Sequence, residues 1–202
     1  MSQETIIVVD DHDSVRSSLR ALLESAGFEV RDYASAMDYL ADVAAGGDCL
    51  LVDLRMPQMN GLELQQELAR RQIDMPVIVV TGHGDVGRAV AAMKAGAFDF
   101  IEKPFDDESL LASIRRALAE GRLHRDLGEE IKSAVAMLAI LTGRERQVLG
   151  ELVLGKSNKL IAYELGISPR TVEIHRARLQ EKLKARDLSD LVRLTRTAGQ
   201  LH

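Results

Sequence analysis

The chain of 202 residues is long enough for one ordinary domain and a smaller one. Its apolar fraction of 46% is that of a globular protein, and no segment approaches the run of about 20 apolar residues that a membrane-spanning helix needs. A single cysteine, Cys49, excludes an internal disulfide framework, and Met1–Val9 carries no secretory signal, so we expect a cytoplasmic protein.

The net charge of -5 is unevenly distributed along the chain. Residues 1–120 hold 11 Lys/Arg and 21 Asp/Glu, whereas residues 121–202 hold 15 Lys/Arg and 10 Asp/Glu. A polyanion such as nucleic acid would be repelled by the first part and attracted by the second.

The first part alternates short apolar runs with segments of helical periodicity. Near-continuous apolar strands between amphipathic helices predict a parallel sheet covered on both faces. Five such units in about 120 residues fit an α/β, doubly wound sheet of the flavodoxin type with strand order 2-1-3-4-5. The predicted strands are Thr5–Val9, Glu29–Tyr33, Cys49–Val52, Val77–Val80 and Phe98–Ile101.

A helical stretch from about Asp107 leads out of this domain, and Gly121 and Gly128 within it predict a hinged or frayed linker. Thr142 and Glu145 have the spacing of a capping box that starts a second, all-α domain. Its helices are predicted to run from Thr142 to Gly155 and over Asn158–Leu165, Pro169–Lys184 and Ser189–Ala198. The predicted division is a domain at 1–120, a linker at 121–136 and a domain at 137–202.

Reactive side chains follow the predicted strands. Asp10 and Asp11 follow the first strand, Asp53 the third, Thr81 the fourth, and Lys103 comes shortly after the fifth. In an open parallel sheet ligands bind at the carboxyl ends of the strands, where the strand order reverses. With order 2-1-3-4-5 the reversal lies between strands one and three, so Asp10, Asp11 and Asp53 are predicted to meet.

Three carboxylates at one point require a cation, and an all-oxygen site favours Mg²⁺ or Mn²⁺. An aspartate can itself accept phosphate as an acyl phosphate, with Lys103 supplying a charge and Thr81 a hydroxyl. An aspartyl phosphatase is the alternative, but it would need a second acid where Arg55 stands. The histidines are too scattered along the sequence to predict a zinc site.

These segments resemble the receiver domains of two-component response regulators over about residues 4–120. The motifs are Asp10-Asp11, Asp53-Leu54-Arg55-Met56-Pro57, Thr81-Gly82-His83 and Lys103-Pro104-Phe105. The resemblance implies that Asp53 is the phosphoacceptor, and that Asp11, Asp53 and the Arg55 backbone carbonyl bind Mg²⁺ while Asp10 holds a metal-bound water. It also implies a cis bond between Lys103 and Pro104.

The same resemblance implies a switch. Phosphorylation of Asp53 draws in the Thr81 hydroxyl, and Phe100 moves from an exposed position into the vacated space. Without the resemblance, the residue type of Phe100 favours a place in the core instead. This biases an equilibrium that exists before phosphorylation. His83 and the side chain of Arg55 are expected to tune the rate of dephosphorylation.

The second domain contains a helix, a tight turn and a second helix between Ile161 and Val172. Ser168 and Pro169 suit the cap and the first turn of the second helix. Val172, Leu179 and Leu183 form its buried stripe, and an apolar Ile174 between arginines on the opposite face is typical of a helix that reads a major groove. The predicted base-reading residues are Arg170, Glu173, Ile174 and Ala177, and the predicted phosphate contacts are Lys156, Asn158, Lys159, Thr171, His175 and Arg178. A helical module that binds RNA or protein is the alternative.

Residues 137–198 resemble the LuxR-type helix-turn-helix through Leu141-Thr142, Arg144-Glu145 and Thr171-Val172. The two halves together resemble the NarL/FixJ family, in its FixJ branch. The resemblance implies a transcription regulator, not an enzyme, which a sensor histidine kinase phosphorylates and which binds double-stranded DNA. It also implies homodimers formed through Val90, Lys94 and the fifth strand, and RNA polymerase as a further partner.

Overall fold

The computed structural model describes residues 3–82 and 86–199. The chain divides into two compact units, with the boundary after His124.

The first unit is built on a five-stranded parallel sheet in the order β2-β1-β3-β4-β5, which confirms the predicted fold. β3 and β4 each extend one residue further than predicted and so include Asp53 and Thr81, and β5 lies one residue later. The strands are β1 (Thr5–Val9), β2 (Glu29–Tyr33), β3 (Cys49–Asp53), β4 (Val77–Thr81) and β5 (Asp99–Glu102).

Helices cover both faces of this sheet. They are α1 (Asp13–Ser25), α2 (Ala36–Ala41), α3 (Gly61–Arg70), α4 (Val86–Lys94) and the start of α5 (Asp107–Ala139), with a short 3-10 turn at Val43–Ala45. Alternate residues of each strand enter different cores: Ile7 packs with Leu64 of α3, while Ile6 packs with Leu23 of α1. This two-sided burial is why the three central strands, β1, β3 and β4, are almost uniformly apolar, whereas the edge strands β2 and β5 carry charged residues. Cys49 is fully buried, and burial raises the pKa of its thiol to about 12.

Helix α5 is continuous from Asp107 to Ala139, through both glycines of the predicted hinge. Gly121 has a packing role that the sequence did not suggest. A Cβ placed there would lie 3.1 Å from Cδ of Pro76, so the absent side chain allows α5 to pass close to the loop before β4. Gly121 therefore contributes a close approach in addition to its low helix propensity.

The second unit consists of the end of α5 with α6 (Gly143–Val153), α7 (Asn158–Leu165), α8 (Pro169–Leu183) and α9 (Leu188–Thr197). Its core includes Leu149, Ile161, Val172, Leu179 and Leu183, so the predicted buried stripe of α8 is confirmed. The Thr142–Glu145 capping box, the Ser168 cap and Pro169 in the first turn of α8 are confirmed as well.

Candidate acidic site and nucleic-acid interface

The carboxyl ends of the strands bring Asp10 and Asp53 to one ammonium group. Nζ of Lys103 donates to Oδ2 of Asp10 over 2.7 Å and to Oδ1 of Asp53 over 2.8 Å. Asp10 and Asp53 are buried, and Thr81, at the end of the neighbouring β4, is buried as well. Residues that are 50 and 93 positions apart in the sequence thus share one hydrogen-bonded cluster.

The same type of local turn holds each of the two carboxylates at the end of its strand. Oδ1 of Asp10 accepts the His12 backbone N–H at 2.8 Å, and Oδ2 of Asp53 accepts the Arg55 N–H at 2.7 Å. An aspartate that accepts the N–H two residues later makes an Asx-turn, which leads the chain out of a strand. In each carboxylate one oxygen is fixed by the turn, and the other is left to face Lys103.

Lys103 is held in place from its backbone as well as from its side chain. Its N–H donates to the Thr81 carbonyl over 2.6 Å, and the bond to Pro104 is cis, as the resemblance implied. Burial lowers the pKa of the Lys103 ammonium, but hydrogen bonds to Asp10 and Asp53 and their charges outweigh it, so the pKa is raised. Lys103 is therefore the cation of this cluster at neutral pH.

Asp11 supplies a buried carboxylate oxygen that accepts no hydrogen bond from the described residues. This oxygen, Oδ1, lies 2.9 Å from Nδ1 of the exposed His12, a contact that is an ion pair only when the imidazole is charged. Oxygens of Asp10 and Asp11 and a nitrogen of His12 lie within 4.8 Å of one another. A buried, unsatisfied carboxylate oxygen beside a second carboxylate fits a hard divalent cation such as Mg²⁺. The sequence did not associate His12 with this site.

The structure describes the predicted switch residue Phe100 and the predicted tuning residue Arg55. Phe100, beside β4 on β5, is half-buried and packs against the core that contains Leu64, whereas the resemblance implied an exposed position. The Arg55 side chain lies over the end of β4, since its Nη2 is 3.2 Å from where a Cβ on Gly82 would stand. His83 lies outside the described residues.

Gly61 lets α3 start directly against the acidic cluster. A Cβ at this position would lie 2.5 Å from the Asp53 carbonyl oxygen, a distance that no side chain tolerates. Asn60 and Glu63 form a capping box that starts α3 at this glycine. Position 61 therefore has a steric reason to be glycine.

A residue that the sequence analysis missed contacts the acidic loop from α1. Nη1 of Arg16 donates to the backbone carbonyl of Asp10 over 2.7 Å, and its guanidinium also pairs with Asp13 and Asp32. The only sequence signal was the spacing of three between Asp13 and Arg16, which is ordinary for an exposed helical ion pair.

The predicted base-reading residues share the exposed face of α8. Arg170, Glu173, Ile174 and Ala177 are all exposed, and Ile174 is 46% accessible although it is a large apolar residue. Arg178 is exposed beside them, while Thr171 and His175 are partly buried. The face opposite the core therefore presents an isoleucine and an alanine among charged residues.

Two of the predicted phosphate contacts are paired within the protein. Nζ of Lys156 contacts Glu151 at 2.5 Å and Glu164 at 2.7 Å, and hydrogen bonds to these two residues raise its pKa. Oδ1 of Asn158 accepts from Nη1 of Arg176 over 2.8 Å. Lys159 is exposed. These pairings join residues of different elements, which helical periodicity does not reveal.

The surface predicted to form a dimer is exposed on α4. Val90 is 48% accessible and Met93 is 46% accessible, and Lys94 is exposed beside them. Met93 was not named from the sequence.

Family models match both parts of the chain. Residues 6–115 match the response regulator receiver domain, and residues 139–195 match the bacterial regulatory proteins of the luxR family. Among the helices of residues 3–82 and 86–199, none has the length and apolarity to cross a membrane.

Relatives and solved structures resemble the chain over nearly its whole length. The transcriptional regulatory protein FixJ of Azorhizobium caulinodans is 50% identical over 95% of this chain and 92% of its own. A low-resolution structure of the response regulator StyR matches with a TM-score of 0.88 and 42% identity, over 96% of this chain and 99% of that one. Full-length FixJ from B. japonicum matches with a TM-score of 0.62 and 42% identity over all of both chains.

Proposed function

The chain belongs to the FixJ-like response regulators, which regulate transcription under the control of phosphorylation, and we propose that its phosphoacceptor is Asp53. The observation that carries this proposal is the Lys103 ammonium shared by Asp10 and Asp53 at the end of the sheet. A sensor histidine kinase is the phosphodonor that this family implies. Thr81 is the last residue of β4, which pairs with the strand that ends at Asp53, and its hydroxyl would respond to the new phosphoryl group.

The transfer itself needs little from the protein beyond position and charge. A carboxylate oxygen of Asp53 attacks phosphorus, the bond from phosphorus to the donor imidazole nitrogen breaks, and that nitrogen keeps the electron pair and takes up a proton. The Arg55 N–H and Lys103 hold the Asp53 carboxylate in one orientation, which reduces the entropy lost on reaching the transition state. Lys103 can then pair with the phosphoryl charge in place of the lost carboxylate charge.

We assign the metal site to Asp10, Asp11, Asp53 and the backbone carbonyl of Arg55. The unused Oδ1 of Asp11 supports this assignment, because a buried carboxylate oxygen without a hydrogen bond is costly unless a cation takes it. When bound, Mg²⁺ or Mn²⁺ would neutralise part of the charge on the incoming phosphoryl group. The Arg55 side chain, which lies over Gly82, would limit water access and so tune the loss of phosphate from Asp53.

The output of the switch is DNA binding by α8. We propose that Arg170, Glu173, Ile174 and Ala177 read bases, and that Lys156, Asn158, Lys159, Thr171, His175 and Arg178 hold phosphates. An exposed Ile174 supports base reading, since an apolar side chain on that face gains from contact with a thymine methyl group. RNA polymerase would be the partner of the DNA-bound protein. Residues 1–120, 121–136 and 137–202 would act as receiver, linker and reader.

Phosphorylation would act by pairing two readers. We place the dimer contact on Val90, Lys94 and β5. Val90 offers exposed apolar surface there, and β5 carries the switch residue Phe100. Two linked modules bind paired half-sites far more tightly than one, because the second contact becomes intramolecular.

The test uses acetyl phosphate with Mg²⁺ on the full chain. We expect wild type to gain one phosphoryl group by intact mass and to shift from monomer to dimer by light scattering. Asp53→Asn should do neither, whereas Asp74→Asn, which removes an exposed carboxylate before β4, should behave as wild type. Val90→Arg should be labelled but stay monomeric. Equal labelling of wild type and Asp53→Asn would refute the phosphoacceptor assignment.

A further inference from the structure

Arg16 is tied to the acidic loop by contacts that no part of the function described so far uses. The residue lies in the first turns of α1, and its side chain is only 13% accessible. Its guanidinium reaches three places at once: the end of β1, the start of α1 and the end of β2. The guanidinium makes these contacts through three different nitrogens, whereas a lysine would have to make all of them from one nitrogen.

The contact at the end of β1 is to the backbone. Nη1 of Arg16 donates to the carbonyl oxygen of Asp10 over 2.7 Å. The backbone N–H of Asp10 donates to the Tyr33 carbonyl, and the Asp10 carboxylate accepts from the His12 N–H and from Lys103. Arg16 therefore supplies the contact that fixes the Asp10–Asp11 peptide plane.

The orientation of this peptide plane determines where the Asp11 carboxylate points. Oδ1 of Asp11 accepts no hydrogen bond from the described residues, and the His12 imidazole, whose Nδ1 lies 2.9 Å away, is itself 66% accessible and therefore a weak restraint on the carboxylate. The direction of the bond from Cα to Cβ in Asp11 follows from the preceding peptide. A rotation of that peptide would move the unused oxygen away from the cation.

Electrostatics favour a positioning role over a charge effect. The Arg16 guanidinium pairs with the carboxylates of Asp13 and Asp32, the latter through Nε at 3.3 Å. One positive charge between two negative charges adds little repulsion to a nearby divalent cation. Arg20 offers a natural comparison: it pairs with the same Asp32 from the next turn of α1, and its backbone contact is to Val30 at 3.3 Å, not to Asp10.

We propose that Arg16 is a positioning residue for the divalent cation, which holds the Asp10–Asp11 peptide so that Asp11 presents its free oxygen to the metal. The inference rests on the proposed function, because it assumes that Asp11 is a ligand. Residues that orient metal ligands typically contribute about 10-fold or more to metal affinity.

The experiment compares full-length wild type, Arg16→Ala, Arg16→Lys and the matched control Arg20→Ala. The Mg²⁺ dissociation constant is measured by calorimetry without phosphodonor. Exchange of the amide protons of residues 11–13 is followed by NMR in metal-free protein. Labelling by acetyl phosphate is then measured as a function of Mg²⁺ concentration, which separates metal affinity from the rate at saturating metal.

We expect Arg16→Ala to weaken Mg²⁺ binding about 10-fold and to raise the half-saturating Mg²⁺ concentration equally, with the saturated rate within about twofold of wild type. Exchange at residues 11–13 should be faster than in Arg20→Ala, whose Mg²⁺ affinity should stay within about twofold of wild type. Arg16→Lys keeps the charge between Asp13 and Asp32 but lacks the planar set of guanidinium donors. Its Mg²⁺ affinity should therefore lie between those of Arg16→Ala and wild type.

Equal Mg²⁺ affinities of Arg16→Ala and Arg20→Ala would overturn the proposal. If Arg16→Ala does not fold, Arg16→Lys replaces it, and an affinity within twofold of Arg20→Ala then counts against the proposal. Wild type that neither binds Mg²⁺ nor accepts phosphate would instead refute the proposed function. Failure of the inference and failure of its premise therefore give different results.

Discussion

The acidic end of the sheet and the exposed face of α8 differ in how their functional residues are held. At the sheet, Asp10, Asp53 and Lys103 come from distant parts of the chain and are paired with one another. On α8, Arg170, Ile174 and their neighbours come from one short segment and point away from the core. The first region is organised before any partner arrives, whereas the second needs a partner to satisfy it. Changes at the first should therefore affect folding and function together, and changes at the second should affect binding alone.

The largest effect is expected from Lys103→Met. Without the ammonium, two buried carboxylates face each other, and breaking such a pair costs several kcal/mol, so we expect the first unit to lose about 2 kcal/mol of stability because Lys103 is partly accessible. Mg²⁺ should restore more stability in the variant than in wild type. Urea denaturation with and without Mg²⁺, followed through Tyr33 and Tyr39, measures both effects. Lys94→Met, which removes an exposed lysine, is the control, and equal losses in both variants would show that the pairing contributes nothing.

Most of the receiver site could be predicted because the ends of buried strands can be identified from the sequence. Four of the five predicted strands are followed by a reactive residue, and the rule that ligands bind at the carboxyl ends of parallel strands predicts that these residues lie close together. Asp53 and Thr81 were placed just beyond their strands, and they are instead the last residues of β3 and β4. Such an error of one residue does not matter here, because the side chains still meet.

Contacts between elements that are distant in the sequence could not be predicted. Arg16 looked like half of a helical ion pair, and only the coordinates show it at the Asp10 carbonyl. Gly121 looked like a helix breaker, but its close neighbour is Pro76, 45 positions earlier in the chain. Each case depends on the distance between two elements, which periodicity and propensity do not contain.

A smaller effect is expected on the reading face. We expect Ile174→Ala to weaken binding to a selected DNA site about 10-fold and to relax the base preference at one position, because a single apolar base contact is lost. Lys159→Ala should weaken binding to all DNA sequences alike. It should also reduce, by about one, the steepness with which the logarithm of affinity falls with the logarithm of salt concentration. Fluorescence anisotropy over a range of salt distinguishes the two patterns. A uniform loss of affinity in Ile174→Ala would remove it from base reading, and the fold should be unaffected in both variants.

The second unit also contains an ion pair, between the buried Glu145 and the partly accessible Lys182, which tests whether internal pairing there behaves as it does at the sheet. The Lys182 ammonium and the Thr142 backbone N–H lower the pKa of Glu145 to about 2, against an ordinary value of 4.5. A lowered pKa stabilises the fold above pH 4.5, and that stabilisation is lost as the pH falls towards 2. Glu145→Gln keeps the cap but not the ion pair, so we expect a loss of about 1 kcal/mol near neutral pH that shrinks over this range. Denaturation at several pH values checks this, and a pH-independent difference would mean that shape, not charge, is responsible.

The smallest effect should come from Glu164, where internal pairing and partner binding compete for one lysine. Lys156 is held by Glu151 and Glu164 but is also a proposed phosphate contact, so Glu164→Gln, which removes one of these two ion pairs, should make it more available to DNA. We expect about a twofold to threefold gain in affinity at low salt, common to all sequences, and a steeper salt dependence. Glu129→Gln, on an exposed part of α5, controls for the change in net charge.

The decisive measurement for Glu164 is a double-mutant cycle with Lys156→Met. If the gain acts through Lys156, it disappears when that lysine is absent, and the ion pairs are then a restraint that DNA must displace. A gain that persists in the Lys156→Met background would mean that Glu164 repels the phosphates directly. Lys156 would then be a structural residue like Lys103, and the two regions would differ less than their exposed surfaces suggest.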